Sequence, residues 1–112
     1  MIEMLMSKIH RATVTAANLH YEGSITVSKE LLNAAGMYAY QKVTVVDIDN
    51  GSRFETYIIE TDEPGVICLN GACARLVYPG DKVIVMAYVL VDEKSAASHV
   101  PVVVHVGADN RV

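Results

Sequence analysis

The sequence has no long apolar run. Its longest, Val83 to Val91, is nine residues, whereas a membrane-crossing helix needs roughly 20, so no membrane partner is expected. The N-terminus, Met1-Ile2-Glu3-Met4-Leu5-Met6-Ser7-Lys8, lacks the basic start and apolar stretch of a secretory signal, and the expected location is cytoplasmic. Basic residues are few: nine Lys and Arg stand against 13 Asp and Glu, for a net charge of −4. A nucleic-acid surface usually carries a basic excess, so DNA and RNA are not expected partners. Cysteine is scarce too. Cys68 and Cys73 do not make a disulfide framework, their spacing matches no common zinc motif, and His10, His20, His99 and His105 are scattered. No metal is expected, and both cysteines read as core or near-core residues. A Gly-rich phosphate loop, His-Glu-x-x-His and Gly-x-Ser-x-Gly are all missing.

What is present suits strands. The 112 residues make one domain. A hydrophobic share of 52% excludes disorder. Val, Ile, Thr and Tyr are frequent and fit pleated, half-buried surfaces. Alternation predicts strands over Ile9 to Thr15 and Ser24 to Ser28. Val43 to Ile48 and Arg53 to Ile59 read as a pair joined by Asp49-Asn50-Gly51-Ser52, where Asn-Gly offers the positive φ angles of a tight hairpin. Val66 to Leu69 reads as a short strand, Lys82 to Leu90 as a long buried one. Val100 to Val106 reads as a last strand, with Pro101 pointing to an edge. Ser28 can cap a helix over Lys29 to Ala35, with Glu30 in its first turn and Gly36 at its end. A second helical turn is expected through Ala72-Cys73-Ala74. Many short strands in one small chain suggest a closed barrel, with a sandwich as the alternative.

Several blocks then carry a family resemblance. Lys8-Ile9-His10-Arg11-Ala12-Thr13-Val14-Thr15 and Leu19-His20-Tyr21-Glu22-Gly23-Ser24 come first. Asp49-Asn50-Gly51-Ser52-Arg53-Phe54, Thr56-Tyr57, Asn70-Gly71-Ala72 and Pro79-Gly80-Asp81 follow in order. Over nearly its whole length the chain resembles the pyruvoyl-dependent aspartate 1-decarboxylases. The resemblance implies a small, mostly β, double-psi β-barrel with one or two short helices. It implies homotetramers with sites at subunit boundaries. It also implies a bacterial role in pantothenate, hence coenzyme A, synthesis.

The implied chemistry has a plain physical logic. Removing the α-carboxylate of an amino acid leaves electrons on Cα that no ordinary side chain accepts, so an electron sink is needed. In the family a pyruvoyl group fills that role in place of pyridoxal phosphate. By resemblance, Ser24 attacks the Gly23 carbonyl and an ester forms. Elimination then divides the single domain into residues 1–23, the β chain, and 24–112, the α chain. Gly23 has no Cβ to obstruct the attack and accepts strained backbone angles. The ketone left from Ser24 would form a Schiff base with L-aspartate. Carbon dioxide would leave, and protonation and hydrolysis would release β-alanine.

Other roles follow residue by residue. By spacing alone Tyr57 reads as a packed strand residue; the resemblance makes it the proton donor. Thr56 matches a substrate-contacting threonine also implicated in self-cleavage. The two are adjacent, so a regular strand points them to opposite faces. They share one site only if the strand bends or neighbouring subunits share sites. Arg53 resembles the carboxylate-binding arginine and Lys8 a second positive charge. His10 matches a position that assists proton movement or is structural. Tyr21 matches a neighbour of the cleavage point, where packing is an equal reading. Asn70, Gly71, Ala72 and Cys73 match a loop whose backbone amides contact substrate. Cys73 departs from the family's usual alanine and brings sensitivity to oxidation. A non-catalytic double-psi barrel that only binds partners is the competing reading.

Overall fold

The computed structural model describes residues 1–112. Eight strands run β1 (Ile2–Thr13), β2 (Ala16–Asn18), β3 (Ser24–Ser28), β4 (Lys42–Asp47), β5 (Arg53–Thr61), β6 (Ile67–Asn70), β7 (Lys82–Val91) and β8 (Val102–His105). Two short helices, α1 (Lys29–Ala35) and α2 (Glu93–Ala96), and a 3-10 segment over Gly71–Leu76 complete the chain. The strands neighbour one another in the order β2-β6-β3-β5-β4-β7-β1-β8. Only Val14 and Thr15 separate β1 from β2, yet these two strands lie towards opposite ends of that order. Val14 N–H donates to Asp81 O (2.9 Å) and Thr15 N–H to Ile67 O (2.8 Å). The sheet therefore wraps on itself, and this link closes a small barrel. No helix is long and apolar enough to cross a membrane.

Alternation fills the barrel. Ile25 and Val27, Val43 and Val45, Ile67 and Leu69, and Val83 and Val85 are all buried, each pair on one face of its strand. β7 corrects the sequence expectation of a long buried strand. Val83, Val85 and Ala87 point inward, while Tyr88 and Leu90 are exposed. β8 pairs only with β1 and so lies at the edge, as Pro101 suggests.

β1 begins seven residues before the alternating stretch read from the sequence. Its pairing with β7 is irregular between Leu5 and Ser7 and between Ile9 and Ala12. Arg11 takes φ 63° at the second irregularity. Each bulge moves the buried positions by one residue, so the two-residue period is broken along the strand.

α1 spans the residues expected of it. Gly36 ends it at φ 69°, and Met37 N–H returns to Leu32 O (2.9 Å). Ser28 occupies the N-cap position, but its hydroxyl makes no cap bond and is buried without a partner.

Between β4 and β5 the loop uses one left-handed residue, Gly51 (φ 76°), and Asn50 is not another. The turn is held instead by Asp47, whose Oδ1 accepts from the N–H groups of Asp49 (2.8 Å) and Asn50 (3.2 Å). One carboxylate oxygen from each of Asp47, Asp49 and Asp81 lies within 4.8 Å of the others. These groups also serve turns, since Asp49 accepts from Lys82 N–H and Asp81 from Tyr78 N–H.

Burial, then the hydrogen bond to Asp81, pushes the Asp47 carboxyl above its ordinary value, against the pull of the two loop amides. A raised carboxyl favours the fold while protonated, and that contribution fades as pH rises past the ordinary carboxylate range. Asp47→Asn keeps an acceptor for the loop amides and carries no charge. Its Tm, measured against the parent by thermal unfolding, is expected to gain more at pH 8 than at pH 5. A pH-independent difference would contradict this account.

Candidate functional site

Ser24 opens β3 and pairs with Asn70, the last residue of β6. It is 0% exposed. Its hydroxyl donates to Glu22 O (2.9 Å) and accepts from Asn70 Nδ2 (3.0 Å). The same amide nitrogen donates to Thr26 Oγ1 (2.9 Å). Cys68 Sγ donates to Asn70 Oδ1 at 3.3 Å. The Cys73 thiol lies 3.0 Å from Asn70 O and 3.7 Å from Ser24 O. Burial pushes both thiols up, so they stay protonated and act as donors. That opposes the oxidation sensitivity expected of Cys73, because the thiolate is the reactive form.

Thr26 and Cys68 were not singled out by the sequence. The available signal was periodicity: each lies two residues from a site residue on its own strand, hence on the same face.

The turn before Ser24 is held against the start of the 3-10 segment. Gly71 sits at φ 72°, and a Cβ there would lie 2.6 Å from Gly23 Cα and 2.7 Å from Gly23 N. Only glycine fits. Gly23 itself lies outside the left-handed region, and a Cβ on it would meet nothing within 4 Å. The left-handed backbone at this junction is therefore at Gly71 rather than at Gly23. Ala72 is exposed beside this junction. Tyr21 meets it through its carbonyl oxygen, 3.0 Å from that Gly71 Cβ position, while the residue is exposed.

Tyr57 is one strand away. Parallel pairing sets Ile25 opposite Ile58, so Ser24 and Tyr57, each one residue earlier, leave the same face of the sheet. Thr56 pairs with buried Val43 and shares the other face with Phe54 and Ile58. Pairing from Lys42–Tyr57 to Val46–Arg53 is unbroken. No bulge interrupts the pairing, so Thr56 and Tyr57 keep the opposite faces expected of them.

The cationic candidates lie elsewhere. Arg53 is exposed at the start of β5, about 13 Å along the strand from Tyr57. With Glu3, Lys42, Thr44, Glu55 and Tyr88 it lines an open cleft of about 590 Å³. Lys8 joins the same outer wall through the row Lys8–Met86–Thr44–Glu55. His10, two residues on, stands edge-on to His105, with ring centres 5.5 Å apart. Its Nδ1 is buried without a partner. Burial, then Lys8, His105 and Arg11, holds the imidazole below its ordinary pKa, so the neutral ring is favoured. None of the chain's four cavities is lined by Ser24. One chain thus gathers Ser24, Thr26, Cys68, Asn70, Gly71 and Cys73, with Tyr57 on the adjoining strand. It does not bring Lys8, His10 or Arg53 to them.

The donor set suits a carbonyl group at position 24. With the Ser24 hydroxyl consumed, Asn70 Nδ2 still points there, and the Cys73 thiol lies near the Ser24 carbonyl oxygen.

The family model described as aspartate decarboxylase matches residues 1–112. The aspartate 1-decarboxylase of Caldicellulosiruptor bescii is 56% identical over 112 residues, covering 99% of this chain and 88% of its own length. That of Clostridium novyi is 55% identical over 112 residues, with 99% and 91% covered. That of Campylobacter fetus is 51% identical over 111 residues, with 99% and 96% covered.

Proposed function

The chain belongs to the aspartate decarboxylase family, and from that membership we propose that it cleaves itself at Gly23-Ser24 and converts L-aspartate to β-alanine and carbon dioxide. The observation that carries the proposal is the Ser24 hydroxyl: fully buried, next to the Gly23 carbonyl, and held between Asn70 Nδ2 and Glu22 O. A binding barrel without catalysis is not favoured.

Ser24 Oγ would attack the Gly23 carbonyl carbon as the Gly23–Ser24 C–N bond breaks, its proton passing to the departing Ser24 nitrogen and an ester being left; the hydrogen bond to Glu22 O orients the hydroxyl. Asn70 holds the oxygen in place. Thr56 faces away from Ser24 within one chain, so donation from it to the oxygen that gains charge would require a neighbouring subunit. Elimination of the Gly23 carboxylate to dehydroalanine, then hydrolysis with loss of ammonia, would leave a pyruvoyl group, which would supply the electron sink for decarboxylation. Tyr57 would hold the proton that returns to substrate Cα. Arg53 and Lys8 would grip the β-carboxylate, which must be retained if β-alanine is the product. Because the fold carries them away from Ser24, they would act on a neighbouring subunit's site. A homotetramer meets that need, and exposed Tyr88, Leu90, Val102 and Val103 offer apolar surface for it. His10, neutral and paired with His105, is read as a proton relay beside Lys8. Tyr21 supports the cleavage turn through its backbone. The role would be cytoplasmic, feeding pantothenate synthesis.

The test is the mass of fully aged protein, taken together with product analysis. Two fragments, residues 1–23 and 24–112, with β-alanine and carbon dioxide from aspartate, are expected. A single uncut mass with no carbon dioxide release would overturn the proposal.

A further inference from the structure

Three residues other than glycine take positive φ: Arg11 (63°), Tyr40 (69°) and Asn110 (58°). Two have local reasons. Arg11 lies within the irregular pairing of β1 with β7. Asn110 is a residue type that tolerates this region, and its amide bonds Thr13 on both sides (2.7 Å each) and Gly65 O (2.9 Å). Tyr40 has neither reason. A bulky side chain in this conformation is an outlier. The strain is not offset by burial, because Tyr40 is 81% exposed.

Its surroundings show what the conformation achieves. Tyr40 N–H donates to Ile58 O (2.7 Å), and Ile58 N–H donates to Gln41 O (3.1 Å). The turn before β4 is thereby fastened to β5 at the residue after Tyr57. Any residue but proline would make those bonds, and glycine or asparagine would do so with less strain. Only an aromatic ring gives the remaining contact. The Tyr40 and Tyr57 rings stack with centres 6.5 Å apart and planes 25° from parallel, within the range of favourable offset pairs.

We propose that Tyr40 is a positioning residue for Tyr57, its left-handed backbone laying an aromatic ring against the proton donor to fix the direction of the phenol. The inference rests on the reading of Tyr57 given above. Backbone strain kept at a functional site is a recognised pattern. Here it leads to an unusual expectation: relieving the strain should stabilise the protein and slow the reaction.

Tyr40→Asn removes the ring and tolerates the left-handed backbone; Tyr40→Phe keeps the ring. Each would be purified as the fully cleaved protein and compared with the parent for Tm, kcat and KM on aspartate. Tyr40→Asn is expected to melt above the parent, keep its KM, and lose about three- to tenfold in kcat. Tyr40→Phe is expected to match the parent in all three. Parental kcat in Tyr40→Asn would overturn the inference, as would a fall in both kcat and Tm, which marks a merely structural role. Tyr57→Phe run alongside separates the two claims. If it turns over normally, the proton-donor reading fails. If it is slow while Tyr40→Asn is not, only the positioning role fails.

Discussion

Ser24→Ala is expected to give one uncut chain that folds, assembles and releases no carbon dioxide from aspartate. The substitution removes the attacking oxygen and nothing else of size. Ser24 is already 0% exposed, and a methyl fits where a hydroxymethyl fitted. Asn70 Nδ2 keeps Thr26 Oγ1 as a partner, and only Glu22 O loses its donor. The fold should therefore weaken by about 1–2 kcal/mol, the worth of one or two hydrogen bonds. Mass spectrometry and a carbon dioxide assay on protein aged alongside the parent measure the two effects. Cleavage or turnover in the variant would end the account of Ser24.

Tyr57→Phe should behave in the opposite way, cleaving normally but working slowly. The variant keeps the ring that stacks on Tyr40 and removes the phenolic oxygen. The proposed self-cleavage would depend on Ser24 and the groups that hold its hydroxyl, none of which bonds Tyr57. On the proposed mechanism, return of the proton to substrate Cα does depend on it. Loss of a general acid lowers kcat by roughly 10²–10⁴. Single-turnover and steady-state rates on cleaved variant, set against its fragment masses, separate the two steps. A parental kcat would remove Tyr57 from the reaction.

The parts of the fold visible in the sequence were those whose local rules go unbroken. α1 ends where left-handed Gly36 stops it, as expected, although Ser28 before it makes no cap bond. β3 alternates in sequence, and β4 and β5 flank an Asn-Gly turn; all three lie close to their expected limits. β1 shows where such reading ends, because two bulges change which residues face inward. β2, at three residues, is too short to have a period. β7 read as wholly buried because both its faces are apolar, and only the fold shows which one meets the core. The site divides in the same way. Ser24, Asn70 and Gly71 were legible from their blocks. Thr26 and Cys68 were not, since ordinary strand residues become partners of Asn70 only after β3 and β6 pair. Tyr40 was hidden for a similar reason: nothing in Ala39-Tyr40-Gln41 announces a left-handed tyrosine or the ring it meets.

The Val14-Thr15 link has a consequence for what happens once the backbone is severed. Everything before Ser24 amounts to β1 and β2, and these are woven into the wall on three sides, against β7, β8 and β6. A fragment 1–23 made by the proposed cut would therefore be no departing propeptide. It would stay as a permanent stave of the cask, and freeing it would mean dismantling the whole vessel.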